Sequence, residues 1–180
     1  MKPSDAGAAI EVQVDKVAQL FHTLDPVPFR ERDLDREAED FIVGWARELP
    51  RALPIRVVVH LPESEAKSAD ARELAPALKK YFAYRAGAMT NELKELFRIG
   101  RLSLTIGLVS LAICLTLGRL ILTSFPNSEF PHVVNEGLVI LGWVANWRPM
   151  NIFLYEWWPL ARRRHLYRRL AGAEVTLAPR

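Results

Sequence analysis

Few residues of this chain have the types and the spacing that catalysis requires. His22 and Asp25 lie three positions apart and could form an acid–base pair. Because Pro26 follows Asp25 directly, a contact that stabilises the loop locally is the better interpretation. The sequence contains no Gly-rich phosphate loop, no His-Glu-x-x-His motif and no pair of cysteines. These patterns therefore predict a protein that is not an enzyme.

The sequence also gives little indication of a metal or cofactor site. His60 ends an apolar segment near Glu63 and Glu65, and we interpret it as a histidine of the core or its rim. The acidic run Glu31–Asp40 could hold a hard cation, but carboxylates are expected in the first turns of a helix. The single cysteine, Cys114, can form neither an internal disulfide nor a Cys-based zinc site. We expect no metal and no cofactor.

Two apolar runs, Leu102–Leu122 and Val133–Trp147, organise the second half of the chain. We interpret residues 101–159 as a two-helix transmembrane hairpin with a short external loop, 124–132. The N-terminus has no apolar signal segment, so the hairpin would direct its own insertion. The loop contains no Lys or Arg, whereas both flanks of the hairpin are rich in them. The positive-inside rule therefore predicts a multi-pass plasma-membrane protein with both termini in the cytoplasm.

Charged residues inside the hairpin need partners, because an isolated charge in hydrocarbon is costly. If the two helices are aligned about their turn, Arg119 lies near Glu136 and Arg101 lies near Glu156. Two ion pairs across the hairpin are the expectation, with separate contacts to lipid headgroups as the alternative.

Arg148 has no such partner in this alignment and is followed by Pro149, which disfavours a helix. The second span is then expected to end near Trp147 and to turn along the membrane surface. A subunit contact is an alternative for Arg148. Another is a polar path through an oligomeric channel or transporter, lined by Arg148, Asn146 and Asn151.

Small residues recur at helical spacing on one face of the first span, which in a membrane is typical of a helix contact. The second helix of the same chain is the favoured partner and a neighbouring copy is the alternative. The residues are Gly100, Ser103, Gly107, Ser110, Cys114 and Gly118.

The first part of the chain predicts a disordered lead, 1–8, and a cytoplasmic α+β domain, 9–69. Alternating apolar residues at 10–14 and a β-branched segment at 54–62 predict two strands. An amphipathic helix, 34–49, lies between them, which gives a β-α-β unit with parallel pairing. Two strands make a poor sheet. The strand or helix character of residues 14–24 is open. We expect residues 17–21 within that segment, or the edge of another subunit, to complete the sheet, and this favours a homo-oligomer.

A connecting helix, 70–100, is predicted to begin at a capping box of Asp70 and Glu73 and to continue into the first span as one helix of about 71–124. Residues 160–180 predict a basic interfacial helix followed by a frayed tail. Leu160, Tyr167 and Leu170 would face the membrane. Five arginines would contact anionic headgroups: Arg162, Arg163, Arg164, Arg168 and Arg169.

The chain contains two distinctive motifs, Leu24-Asp-Pro-Val-Pro-Phe29 with Arg32-Asp-Leu-Asp35, and Trp147-Arg-Pro-Met-Asn-Ile-Phe-Leu-Tyr-Glu-Trp-Trp-Pro159. They resemble those of a group of small, uncharacterised bacterial inner-membrane proteins. The resemblance covers about Val14 to Pro159 and implies a bacterial inner-membrane location. No activity is attached to the group, so it implies no catalytic or binding residues.

Taken together, the chain of 180 residues has room for one domain of about 100 residues beside the hairpin. The near balance of charge in Met1–Arg98 gives no basic footprint for a nucleic acid. The leading hypothesis is a non-enzymatic, homo-oligomeric inner-membrane protein that contacts anionic lipids and presents a cytoplasmic scaffold domain to a possible protein partner. A channel subunit and a membrane-tethered enzyme are the alternatives.

Overall fold

The computed structural model describes residues 9–21, 33–50, 52–126 and 129–180. They form two compact units. The head contains the described residues of Met1–Met89 together with Arg162–Arg180, and the helical unit contains those of Thr90–Ala161. The predicted lead, 1–8, lies outside the described residues.

The head is built on a parallel sheet. Strand β1, Ala9–Gln13, and strand β2, Arg56–Leu61, pair in register from Ala9 with Arg56 to Gln13 with His60. In both strands alternate residues are buried, as the period of a strand requires. The predicted β-α-β unit with parallel pairing is confirmed.

The third strand, β3, is Glu174–Pro179, and the sheet order is β1-β2-β3 with every pair parallel. The expectation of a frayed tail is wrong, as is the expectation that residues 17–21 or another subunit complete the sheet. Val175 and Leu177 pair with Val57 and Val59 on the inner face of β2. The backbone groups along this edge of β2 are therefore paired by the C-terminal segment of the same chain.

Residues Val17–Leu20 form a short 3-10 helix, which settles the strand-or-helix alternative for that segment. Val17 and Leu20 are buried, and the Val17 N–H donates to the Glu65 carboxylate over 3.3 Å. The turn predicted at Leu24–Phe29 lies outside the described residues.

Helix α1, Arg36–Glu48, connects β1 to β2, and its N-cap is Asp35, whose carboxylate accepts the Glu37 N–H over 2.9 Å. Its buried residues are Ile42, Val43 and Ala46. Two aromatic residues of the predicted apolar face, Phe41 and Trp45, are instead exposed. The apolar face of α1 is therefore wider than the part of that face that the sheet covers.

A one-turn helix, α2, Glu63–Ala66, leads into α3, Ala69–Ser124. The predicted long helix is confirmed, but Asp70 is not its cap. The Ser68 hydroxyl accepts the Ala71 N–H over 3.0 Å, and the helix begins at Ala69, two residues earlier than a capping box at Asp70 would place it. Within the head, this helix buries Leu74, Leu78 and Phe82.

The helical unit contains the rest of α3 and a second helical path. Helix α4 is Phe130–Ala145 and α5 is Trp147–Asn151. A π-helical segment, Ile152–Glu156, follows and continues into α6, Trp157–Ala171. Among the described residues, α3 is the one helix long and apolar enough to cross a membrane. Helix α4 has 16 residues, fewer than the roughly 20 of a typical span.

The expected end of the second helix at Trp147–Pro149 is wrong in detail. The helical path is interrupted at Asn146 and then continues through Arg148 and Pro149. Pro149 is the third residue of α5, in a first turn where a missing N–H leaves no helical hydrogen bond unmade. The interruption before it makes the proline compatible with a helix.

Two of the three apolar residues of the basic helix differ from the expected membrane contact, while the third, Leu160, is half-buried. Tyr167 and Leu170 of α6 are buried in the head. They precede β3, which pairs with β2 in the sheet. Packing in the head therefore uses two of the three residues that the sequence assigns to lipid.

Candidate functional site

Of the three residues that suggested acid–base chemistry, His60 is the one that lies in the described part of the chain. His22 and Asp25 lie outside the described residues. The imidazole of His60 lies 3.8 Å from the Glu11 carboxylate on the neighbouring strand, not beside Glu63 or Glu65. Within residues 9–21, 33–50, 52–126 and 129–180, no group of three or more His, Cys, Asp or Glu side chains is placed to hold a metal ion.

The acidic run has structural partners where it is described. Asp35 caps α1, and Glu39 is the acceptor of a polar cluster in the head. This cluster joins Glu39 of α1 to Tyr81 and Arg85 of α3 and to Tyr167 of α6. The sequence analysis did not predict that these four residues meet.

The geometry of the cluster centres on the Glu39 carboxylate. The Tyr81 hydroxyl donates to Oε2 over 2.7 Å, and the Tyr167 hydroxyl donates to Oε1 over 2.8 Å. The Arg85 Nε donates to Oε1 over 3.0 Å, and its Nη2 lies 2.9 Å from the same oxygen. The guanidinium also lies 5.4 Å from the centre of the Tyr167 ring, a cation–π distance.

The electrostatics of the cluster favour an ionised carboxylate. Burial acts to raise the pKa of Glu39, but hydrogen bonds from Tyr81, Tyr167 and Arg85 and the charge of Arg85 outweigh it and lower the pKa. Burial and the neighbouring carboxylate raise the pKa of Tyr81 and of Tyr167. Both phenols thus stay protonated as donors, and the cluster fastens three helices together.

Sequence reasoning missed this cluster because its members are distant along the chain. One signal was present: Tyr81 and Arg85 lie four residues apart on α3, so they share a helix face. Nothing in the local sequence indicates that this face meets a carboxylate of α1.

In the helical unit, the predicted small-residue face of α3 contacts the second helical path of the same chain. Gly100, Gly107, Cys114 and Gly118 are buried, and Ser103 and Ser110 are half-buried. A methyl group on Gly107 would lie 2.6 Å from the Asn146 side-chain oxygen and 3.0 Å from the Ala145 carbonyl oxygen. Only glycine permits this approach of the two backbones.

Facing residues are shifted from the alignment that predicted the ion pairs. Gly107 faces Asn146 and Gly118 faces Asn135, about one helical turn away from the expected pairing. Arg119 and Glu136 are both exposed, and no ion pair joins them. The predicted pair of Arg119 and Glu136 is therefore not formed within the described residues.

Glu156 forms its ion pair with Arg148 rather than with Arg101. The expectation that Arg148 has no ionic partner is wrong. The two residues lie eight apart along the second path, and the intervening π-helical segment brings their side chains together.

Asn146 occupies the interruption between α4 and α5 and is buried. Its side-chain amide donates to the Gly107 carbonyl over 3.1 Å and to the Gly142 carbonyl over 2.9 Å. Both amide hydrogens are thus used inside the helical unit. Pro149 is also buried, whereas Asn151 is half-buried.

The five arginines of α6 have different surroundings. Arg169 donates to the carbonyl oxygens of Pro50 and Leu53, each over 2.9 Å, and so holds the segment before β2. Arg162, Arg163 and Arg168 are exposed and Arg164 is half-buried.

These two sets of contacts, the polar cluster of the head and the glycine contacts of the helical unit, both hold structure together. Comparison of the chain with protein-family models, with curated proteins and with solved structures finds no match.

Proposed function

We propose that this protein is a non-enzymatic membrane protein that displays its head on the cytoplasmic face as a docking module. The observation that carries the proposal is that the three strands of one sheet come from segments on both sides of the helical unit in the sequence. Strands β1 and β2 precede α3, whereas β3 follows the whole helical unit.

The surface of the helical unit supports membrane anchoring. Large apolar side chains are exposed along both helical paths, far more than a water-facing surface normally carries. They include Leu102, Ile106, Val109, Ile113, Leu117, Leu120, Ile140, Leu141, Trp143, Val144 and Trp147. Hydrocarbon would cover these side chains, while the glycine contacts bury the remaining face.

Chain connectivity supports two crossings. Hydrogen-bonded strands must lie on the same side of a membrane, so the chain between β2 and β3 has to cross an even number of times. If α3 makes one crossing, the path from Phe130 to Glu156 makes the return. At 1.5 Å per residue this path is about 40 Å long, more than the roughly 30 Å of a hydrocarbon core.

Two exposed aromatic residues on α1 support the docking role of the head. Phe41 is 44% exposed and Trp45 is 51% exposed, and their ring centroids lie 6.1 Å apart. Aromatic side chains of this kind are enriched where proteins bind one another. A cytoplasmic protein is the partner that we propose.

Homo-oligomerisation stays a prediction. The three features that motivated it have partners within one chain: β3 completes the sheet, the small-residue face contacts the second path, and Arg148 pairs with Glu156. Light scattering of the detergent-extracted protein tests it, and the mass of one chain at every concentration would contradict it.

Single-cysteine labelling tests the topology. In a Cys114→Ala background, one cysteine replaces Glu129 in the loop before α4 or Lys67 in the head, both exposed positions. A membrane-impermeant maleimide applied to intact cells should label Glu129→Cys, and it should label Lys67→Cys only after lysis. Equal labelling of both positions before lysis would refute the proposed arrangement.

Site-specific photo-crosslinking tests the docking role. A photoreactive phenylalanine analogue at Trp45 should give one discrete adduct in cells, because docking places a partner against the exposed ring pair. The same analogue at the exposed position Arg72 is the matched control and should give none. Identical adduct patterns at the two positions would count against docking through α1.

A further inference from the structure

Arg119 opens onto a shallow groove on the helical unit, near the C-terminal end of α3. The groove has a volume of about 470 Å³. The described residues that line it all belong to α3 and are two leucines, two threonines and one arginine: Leu115, Leu120, Thr116, Thr123 and Arg119. A volume of this order accommodates part of a small amphiphile.

Within the groove, the guanidinium is the charged donor. The Thr116 hydroxyl donates to the Ala112 carbonyl over 2.7 Å, and the Thr123 hydroxyl donates to the Leu120 carbonyl over 2.9 Å. Both hydroxyl hydrogens are therefore engaged within α3, and an anion in the groove would meet Arg119.

Arg119 has no carboxylate within ion-pair distance in the described part of the chain, and Glu136, its expected partner, forms no ion pair. A guanidinium in an apolar setting needs an anion, since its unpaired charge is costly there. Its planar set of N–H donors matches the oxygens of a phosphate.

The position of Arg119 along α3 fits a headgroup contact. It lies five residues before the end of the helix at Ser124, about 7 Å along the axis. A long arginine side chain reaches an interface at that depth while its methylene groups stay among apolar neighbours.

We propose that this groove binds one anionic glycerophospholipid, with the phosphate on Arg119 and an acyl chain along Leu115 and Leu120. The inference rests on the proposed membrane anchoring and adds a specific lipid site to it. It is separate from the arginines of α6, which belong to the head.

Native mass spectrometry of the full-length protein in a nonionic detergent, titrated with phosphatidylglycerol, tests the site. Arg119→Gln should weaken retention of one lipid about tenfold, the loss expected for a charge-assisted hydrogen bond. Arg119→Lys should retain most of the binding. Arg98→Gln is the matched control, because Arg98 lies outside the groove and faces Glu95 at 3.7 Å, and its lipid retention should equal that of the wild type.

Three results would overturn the site: equal retention by Arg119→Gln, displacement of the lipid by equimolar glycerol phosphate, or zwitterionic phosphatidylcholine binding as tightly. Non-additive losses of stability in Arg119→Gln and Glu136→Gln, with lipid retention unchanged, would assign the guanidinium to Glu136 instead.

Wild-type protein that alkaline carbonate extracts from membranes would refute the anchor itself. Membrane-integrated Arg119→Gln with normal lipid retention would refute only this site.

Discussion

At the scale of single residues, Glu39 makes the stability of the head depend on pH. Its folded pKa lies below the ordinary value of 4.5, because three donors bond the ionised carboxylate. The unfolded chain then binds the proton more readily, so this stabilisation is present above pH 4.5 and is lost as the pH falls through the folded pKa. We therefore expect the free energy of unfolding of the head to decrease as the pH falls below 4.5.

Glu39→Gln should remove this pH dependence and cost about 2 kcal/mol near neutral pH, since the amide cannot replace the charged acceptor. Hydrogen exchange at the β2 amides, corrected for intrinsic rates, measures the head without the helical unit. Glu37→Gln is the control, because the Glu37 side chain is exposed on the same helix. A pH profile that is the same in Glu39→Gln and in the wild type would contradict the assignment.

Gly107 sets the distance between the two helical paths. Gly107→Ala should destabilise the helical unit by about 1–3 kcal/mol, because its new methyl group meets the Asn146 side chain and the Ala145 carbonyl. Gly137→Ala is matched to it, since nothing lies within 4 Å of a methyl group there. That control should be neutral or stabilising by up to about 1 kcal/mol. Thermal unfolding in detergent compares the two, and equal midpoints would rule out the tight contact.

At the scale of elements, the sequence predicts those whose signal is local. Alternating apolar residues predict β1, and the proline-bracketed apolar segment predicts β2. Apolar residues that recur at helical spacing without a break predict α3. Strand β3 could not be recognised in the same way. Its six residues pair with a strand that precedes the entire helical unit, and terminal segments are otherwise commonly frayed.

Contacts between elements were harder to predict than the elements. The small residues of α3 indicate a helix contact, but the pairing register depends on where the turn closes, and an error of about one turn changes every facing residue. The ion pair of Arg148 with Glu156 needs the π-helical segment, which no periodicity in the sequence reveals. The Glu39 cluster joins side chains of three helices, so it can be predicted only when the packing of those helices is known.

Strand β3 should be required for a stable head. Leu177 pairs with Val59, which is 1% exposed, whereas the neighbouring Thr176 pairs with the half-buried Val58. Leu177→Asp should cost about 2 kcal/mol or more, because it places a charge beside the core. Thr176→Asp should cost less than about 1 kcal/mol. Limited proteolysis of the head distinguishes them, and equal sensitivity would show that β3 does not contribute its inner face to the core.

At the scale of the whole molecule, the head is built from segments that lie before and after the helical unit in the chain. The sheet receives β1 and β2 from before α3 and β3 from after α6. Helix α6 adds Tyr167 and Leu170 to the core, and Arg169 holds the segment before β2. Under the proposed anchoring, the head can be completed only after the return crossing has been made.

The number of crossings should therefore decide whether the head folds. One additional apolar span of about 20 residues, inserted between Pro126 and Glu129, would place β3 and α6 on the opposite side from β1 and β2. We expect such a variant to lose β3 from the sheet and to become protease-sensitive in the head. Two inserted spans restore the even number and should restore protection, while a polar insertion of equal length is the control. A head that stays protected with one inserted span would show that the chain between β2 and β3 does not cross the membrane twice.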